Sequence, residues 1–212
     1  MGVKERKERE RVDMKELILK SAHQLFIDKG FDEVSIRNIA EAIEYSPATI
    51  YLYFKDKNEI FHALHRNGFK VLVEKFSVLS SINHPFDRLK AMGRHYIEFA
   101  MQNPGTYKLL FVMEEPLRHV ESCKQDEWDE GDRAFDILTA TVAQCQKESY
   151  FLGFETESLA FVIWSTMHGL CTLRTSGHLG HVSVARNSAM NLDQLMGHAY
   201  ESFIQVLEKL KA

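Results

Sequence analysis

SIRNIAEAIEYSPATIYLYFKDKNEIF, residues 35–61, reads as two short helices joined by a tight turn and followed at once by a third. The first places Ile36, Ile39, Ala40 and Ile43 on one apolar face, and the second supplies Ile50 and Phe54. Two faces this small can bury only each other. Ala40 falls where helices crossing at a steep angle come closest, so a larger side chain there would push them apart. Ser46-Pro47 combines a capping hydroxyl with the residue best suited to the first helical position, so Pro47 starts a helix. Asp56 with Glu59 three residues on reads as a capping box opening the third.

This is the layout of a helix-turn-helix unit. With the inner face buried, Ser46, Pro47, Ala48, Thr49, Tyr51, Leu52 and Tyr53 line the start and outer face of a helix that fits a DNA major groove. Thr49 can hydrogen-bond a base edge or phosphate, and Ala48 and Leu52 can touch thymine methyl groups. The Tyr51 and Tyr53 hydroxyls and the Lys57 ammonium suit phosphates. Arg37, early in the preceding helix, supplies the unit's best-placed guanidinium for a phosphate or groove edge. Most of these contacts position the protein and few read sequence.

ATIYLYFKDKNEIF preceded by SIRNIAEAI resembles the DNA-binding domain of the TetR family of one-component bacterial transcriptional regulators, over about Met14 to Phe61. The resemblance implies DNA contacts from Thr49, Tyr51, Tyr53 and Lys57, with Tyr53-Phe54 packing the recognition helix on its domain. Two positions depart from the family pattern. Glu44 stands where the turn usually carries glycine, and must accept a left-handed backbone at a cost of about 1 kcal/mol. Leu52 stands where many members carry histidine. Further on, Trp164-Ser165-Thr166-Met167-His168-Gly169 resembles the W-x3-H-G signature of one subgroup of TetR regulatory domains. Asn103-Pro104-Gly105-x-Tyr107-x-Leu109 is similar to the segment ahead of it.

Composition sets the frame around the motif. Residues 1–66 hold twelve Lys/Arg and twelve Asp/Glu, net zero, so the remainder carries the whole formal charge of −4. Affinity for DNA would rest on a few placed contacts and on dimerisation. The chain has 212 residues, 45% of them hydrophobic, enough for one sizeable core plus a small satellite domain, with no apolar run long enough to span a bilayer. The opening MGVKERKERERVDMK has no apolar segment behind its charges, so neither a signal peptide nor an anchor is expected. Its alternating charges, Lys4 to Arg11, read as a solvated helical extension; the competing reading is an arm over the DNA backbone. Cys123, Cys145 and Cys171 are far apart and odd in number, which suits reduced thiols in a cytoplasm.

The rest of the chain reads as all-α. Helices are expected over Met14–Lys29 with Leu17, Ile18, Ala22, Leu25 and Phe26 inward, and from Asp56 through Phe76. Others are expected over Phe86–Met101, Pro104–Met113, Asp132–Ser149, Thr156–Thr175 and Asn191–Lys211. Glu114 to Gly131 and Ser176 to Ser188 read as loops. The expected organisation is a charged extension (1–13), a helix-turn-helix domain (14–61) and a regulatory, ligand-binding and dimerisation domain (62–212).

The last two helices are apolar on more than one side and a recognition helix needs a two-fold partner, so a homodimer through them is expected. Tyr96, Phe99, Tyr107, Phe111, Met113, Phe135, Leu138, Trp164, Met167, His168 and Cys171 could line an effector cavity, largely apolar with a few polar tips. The competing reading for each is ordinary core. The expected output is repression of a palindromic operator, relieved by a small apolar molecule. No cofactor and no catalytic residue are expected, because the chain lacks a phosphate-cradling loop, HExxH, a nucleophile elbow and a paired glutamate-histidine helix motif. The alternatives are a metal-responsive regulator or a helical adaptor that does not bind DNA. The metal reading draws on His62/His65, His178/His181 and His119/Cys123, none of which forms a complete ligand set.

Overall fold

A computed structural model describes residues 2–113, 129–186 and 189–212. Every regular element among the described residues is a helix, apart from a single bridge between Tyr150 and Lys211. In chain order the helices are α1 (Val3–Lys29), α2 (Ile36–Ala42), α3 (Pro47–Tyr51), α4 (Lys57–Ser77), a 3₁₀ turn (Val78–Ser81), α5 (Pro85–Gln102) and α6 (Pro104–Phe111). After them come α7 (Asp129–Lys147), α8 (Thr156–Thr175), α9 (His178–Ala185) and α10 (Leu192–Glu208). The chain packs as two compact units, residues 1–70 with 105–129, and 71–104 with 130–212.

The first unit is built on the side chains that the 3.6-residue period singles out. Ile18, Ala22 and Phe26 of α1, Ile39 and Ala40 of α2, Ile50 of α3 and Ile60 of α4 are all fully buried. Leu17, one position off the α1 line, is 40% exposed, a departure from the inward placement its sequence neighbours suggest. Phe26, Phe31 and Phe61 form a mutual aromatic cluster with ring centroids 4.9–5.4 Å apart, joining α1, the turn after it and α4. α6 belongs to this unit by packing, so the units do not part at residue 62. Glycines at 68 and 105 explain its seat. A Cβ on Gly68 would lie 2.9 Å from Leu110 and Thr106, and one on Gly105 would lie 3.0 Å from the His23 ring. His23 Nε2 is 3.2 Å from the Thr106 hydroxyl, and burial holds this imidazole below its ordinary pKa.

In the second unit α5 packs on α8, and α9 and α10 both lie along α8. Tyr200 of α10 donates its hydroxyl to the Lys90 carbonyl, and its ring fills the space opened by Gly93. The corner between α7 and α8 carries two non-glycine residues with left-handed backbones, Ser149 (φ 65°) and Phe151 (φ 58°). The end of the chain holds this corner. Phe151 N–H donates to the Leu210 carbonyl (2.9 Å) and Ala212 N–H to the Ser149 carbonyl (3.0 Å).

Three expectations change. α1 begins at Val3, so the charged opening continues the helix without a break. α7 begins at Asp129, ahead of Gly131; residues 114–128 of the expected loop, including His119 and Cys123, lie outside the described residues. The segment read as a loop from Ser176 contains α9, opened by Gly177 in a left-handed conformation (φ 82°). Gly180 and the β-branched Val182 and Val184 hide a helix from propensity, but packing against α8 and α10 supports it.

Candidate nucleic-acid interface

The geometry of residues 35–61 follows from its caps. Ser35 and Asn38 close a capping box at α2, with Asn38 N–H donating to Ser35 Oγ (3.2 Å) and Ser35 N–H to Asn38 Oδ1 (2.9 Å). Ser46 caps α3, its Oγ accepting from Thr49 N–H (3.3 Å) and lying 3.1 Å from the Thr49 hydroxyl. At α4, Asp56 Oδ1 accepts from Glu59 N–H (2.8 Å), while the Glu59 carboxylate reaches back to Lys55 N–H (2.6 Å). This reciprocal pair is set one residue wider than the expected box.

The turn between α2 and α3 is a Schellman closure with glutamate in the glycine place. Tyr45 N–H donates to the Ala40 carbonyl (3.0 Å) and Glu44 N–H to Glu41 (3.2 Å), with Glu44 at φ 61°. The strain expected of Glu44 is therefore present. It turns the chain so that α3 packs back on α2 through the buried Ile50 and leaves the opposite face open.

On that face Ser46, Pro47, Ala48, Tyr51 and Leu52 are exposed, Leu52 at 76%, while Thr49 and Tyr53 are half-buried. Phe54 is buried beneath them, with Lys15 Nζ 5.8 Å from its ring centroid. Arg37 is exposed and held by Glu41 (Nε to Oε1 2.8 Å); an exposed pair of this kind contributes only about 0.5 kcal/mol, so the guanidinium can be redirected at small cost. Lys57 differs from expectation. Its Nζ donates to the Phe31 carbonyl (2.7 Å) and lies 4.1 Å from the Phe31 ring centroid, tying the start of α4 to the turn after α1. Sequence reasoning passed over Tyr45, which is 46% exposed immediately before the α3 cap; an aromatic with no place in the apolar period was the available signal.

The effector candidates fall in both units. In the first, Tyr107 is fully buried with its ring 5.2 Å from Phe111, and Met113 is half-buried. In the second, Tyr96 Oη is 3.2 Å from His168 Nδ1, and His168 Nε2 is 3.5 Å from the Thr172 hydroxyl. The His168 ring lies 6.1 Å from Trp164, which in turn lies 6.0 Å from Phe135. Burial lowers the His168 pKa and favours the neutral ring. Phe99, Leu138, Met167 and Cys171 are buried. Desolvation pushes both the Cys171 and Cys145 thiols up to about 12, so neither is a thiolate at neutral pH. Among the described residues no three of His, Cys, Asp and Glu converge on a point that could hold a metal ion, and no helix is long and apolar enough to cross a membrane.

Comparison with known proteins agrees with this architecture. Residues 18–64 match the model for bacterial regulatory proteins of the tetR family, and residues 89–198 match the tetracyclin repressor-like C-terminal domain. An uncharacterised HTH-type transcriptional regulator of Haemophilus influenzae is 22% identical over 123 residues, 55% of this chain and 66% of its own length. Among solved structures, the fatty acid degradation regulator FadR of Bacillus halodurans superposes with a TM-score of 0.67 at 16% identity, covering 88% of this chain and 92% of that one. AibR in complex with isovaleryl coenzyme A and operator DNA gives 0.66 at 17% identity, covering 91% and 97%. The chain spans less than two thirds of the length of the curated relatives it matches. With one family model covering the helix-turn-helix and a second covering more than half of the chain, the protein belongs to the TetR family.

Proposed function

We propose that this chain is a one-component transcriptional regulator that binds a palindromic operator as a homodimer, represses from it, and is released by a small, largely apolar effector. One observation carries the reading. A capped α3 buries Ile50 and turns Ser46, Pro47, Ala48, Tyr51 and Leu52 to solvent, an arrangement that costs apolar exposure unless a groove receives it. Arg37, Thr49, Tyr51 and Tyr53 are its positioning contacts. Lys57 joins them by sharing its ammonium between Phe31 and a phosphate.

Dimerisation draws support from the second unit. On α8, Phe161, Val162 and Leu173 are exposed, and a Cβ on Gly169 would meet nothing within 4 Å in this chain. On α10, Leu195, Ala199 and Phe203 are half-buried and Val206 exposed along one stripe. Two such faces are suited to a four-helix contact with a second copy. The effector is assigned to the Tyr96, Phe135, Trp164, Met167 and His168 neighbourhood. A half-buried imidazole, kept neutral by desolvation, between a phenol and a hydroxyl offers a polar tip beside aromatic rings, as an acyl group or a similar apolar ligand requires. The solved relatives named for fatty acid degradation and for isovaleryl coenzyme A bring the same ligand class to mind for this chain.

Selection of sheared genomic DNA by the purified protein in about 150 mM salt tests the reading. Enrichment of a short inverted repeat is the expected result. Absence of enrichment, with and without added acyl-coenzyme A mixtures, would leave the adaptor reading. Met167→Trp should blunt effector release while preserving operator binding; an unchanged dose curve would remove that neighbourhood from the effector site.

A further inference from the structure

The outer three turns of α1 carry charge in an order that composition conceals. Residues 4–15 hold six Lys/Arg (4, 6, 7, 9, 11, 15) and four Asp/Glu (5, 8, 10, 13), and all but Met14 and Lys15 of the described side chains there are exposed. At about 100° per residue, Lys4, Lys7, Arg11 and Lys15 fall within an arc of about 80° on one side of the helix. Arg6 and Arg9 fall on the opposite side. The same arc, followed inward, is that of the buried Ile18, Ala22 and Phe26, so the cations continue the face with which α1 packs on the helix-turn-helix. Lys15 shows the join directly, its ammonium 5.8 Å from the ring of Phe54, the residue that follows Tyr53.

Two of the four acids are engaged elsewhere. Glu5 accepts from Gly2 N–H (2.8 Å) and Glu10 from Arg6 Nε (2.9 Å). Among the described residues no ion pair involves Lys4, Lys7, Arg11 or Lys15. Glu8, about 20° beyond the edge of the arc, is the acid nearest to it. The result is a rigid cationic rail, about 16 Å from Lys4 to Lys15 at 1.5 Å per residue, that starts beside the recognition unit and runs away from it.

We infer that this rail lies on the phosphate backbone of duplex DNA next to the groove occupied by α3, lengthening the contact beyond the helix-turn-helix. The inference rests on the DNA-binding reading above. Its chemistry is sequence-independent: Lys7 and Arg11, with Lys4 at the tip, neutralise phosphates and release counterions, and carry no base readout. It also answers how residues 1–66, of zero net charge, would hold a polyanion, since segregating the charges by face gives a local field that the net sum hides.

The test is the salt dependence of binding to two duplexes, a mixed-sequence fragment of about 30 base pairs and the selected genomic fragment, compared among three proteins. Lys7→Gln/Arg11→Gln removes two cations from the rail, and Arg6→Gln/Arg9→Gln removes two from the opposite side. Each phosphate contact contributes about 0.9 to the slope of log K against log salt. The rail variant should therefore lose about 2 in slope per bound chain on both duplexes, the control variant close to none, and Glu8→Gln should strengthen binding. Equal slopes for wild type and rail variant, or equal losses for rail and control variants, would overturn the rail while leaving the DNA reading intact. Failure of the wild type to bind either duplex at any salt would overturn both. All substituted positions are exposed on a helix, and circular dichroism of each variant checks that α1 is retained.

Discussion

Replacing Glu44 with glycine should stabilise the helix-turn-helix. At φ 61° the Glu44 Cβ crowds the following carbonyl, at a cost of about 1–2 kcal/mol for a residue with a side chain. Glycine removes that cost but gives the unfolded chain more freedom, worth about 0.5–1 kcal/mol in the other direction. The Glu44 side chain is exposed, and both turn hydrogen bonds, Tyr45 to Ala40 and Glu44 to Glu41, come from the backbone, so neither is lost. The net gain is about 0.5–1 kcal/mol, which for a chain of this size corresponds to about 1–4 °C in Tm when unfolding is cooperative. Urea titration followed by circular dichroism, with the m-value unchanged, is the assay. Glu44→Val should move the midpoint the other way, because a β-branched side chain tolerates this backbone least. A glycine variant less stable than wild type, or a valine variant equal to it, would refute the claim that this turn is strained.

Three further outcomes are expected. Ala40→Leu places a larger side chain at the fully buried α2 crossing and should cost about 1–3 kcal/mol, with duplex affinity lost before the overall helix signal; an unaltered affinity would contradict the close crossing. Burial, assisted by the charge of His62, lowers the His65 pKa to about 4, so as pH falls the unfolded chain, at about 6.5, takes its proton first. The His65 contribution is complete above pH 6.5 and lost towards pH 4, up to about 3 kcal/mol, and a His65→Gln variant should show a flatter stability profile across that window. Finally, Tyr51→Ala should weaken operator binding with Tm unmoved. Lys57→Ala should lower both, losing about 1–2 kcal/mol of stability with its Phe31 carbonyl and ring contacts; an unchanged Tm would show the internal contact to be idle.

What was legible in the sequence is what short-range physics dictates. Ser46 and Asp56 announced two helix starts because their oxygens had N–H groups within three residues to accept from, and each does. Glu44 was flagged by its departure from the glycine of the family pattern, and its backbone is left-handed. The failures are equally specific. α9 was invisible because Gly180 and its valines disfavour a helix that packing against α8 and α10 holds in place. The second partner of Lys57, the Phe31 carbonyl, was not legible because it lies 26 residues away in sequence and no local pattern records it. The seat of α6 in the first unit depends on the absent side chains of Gly68 and Gly105, and what is missing from a position leaves no periodicity to read.

The corner at Ser149–Phe151 has a consequence for the motions of the second unit. Two left-handed residues bracket Tyr150, and their backbone hydrogen bonds are completed by residues 210–212 at the far end of the chain. Everything between them, α8, α9 and α10, is thereby closed into a ring by hydrogen bonds instead of by a covalent link. Fraying at the tail releases the corner, and the corner cannot relax its backbone while the tail is docked. The amides of Phe151 and Ala212 should then exchange with solvent at one shared rate, with the opening of the ring as their common event.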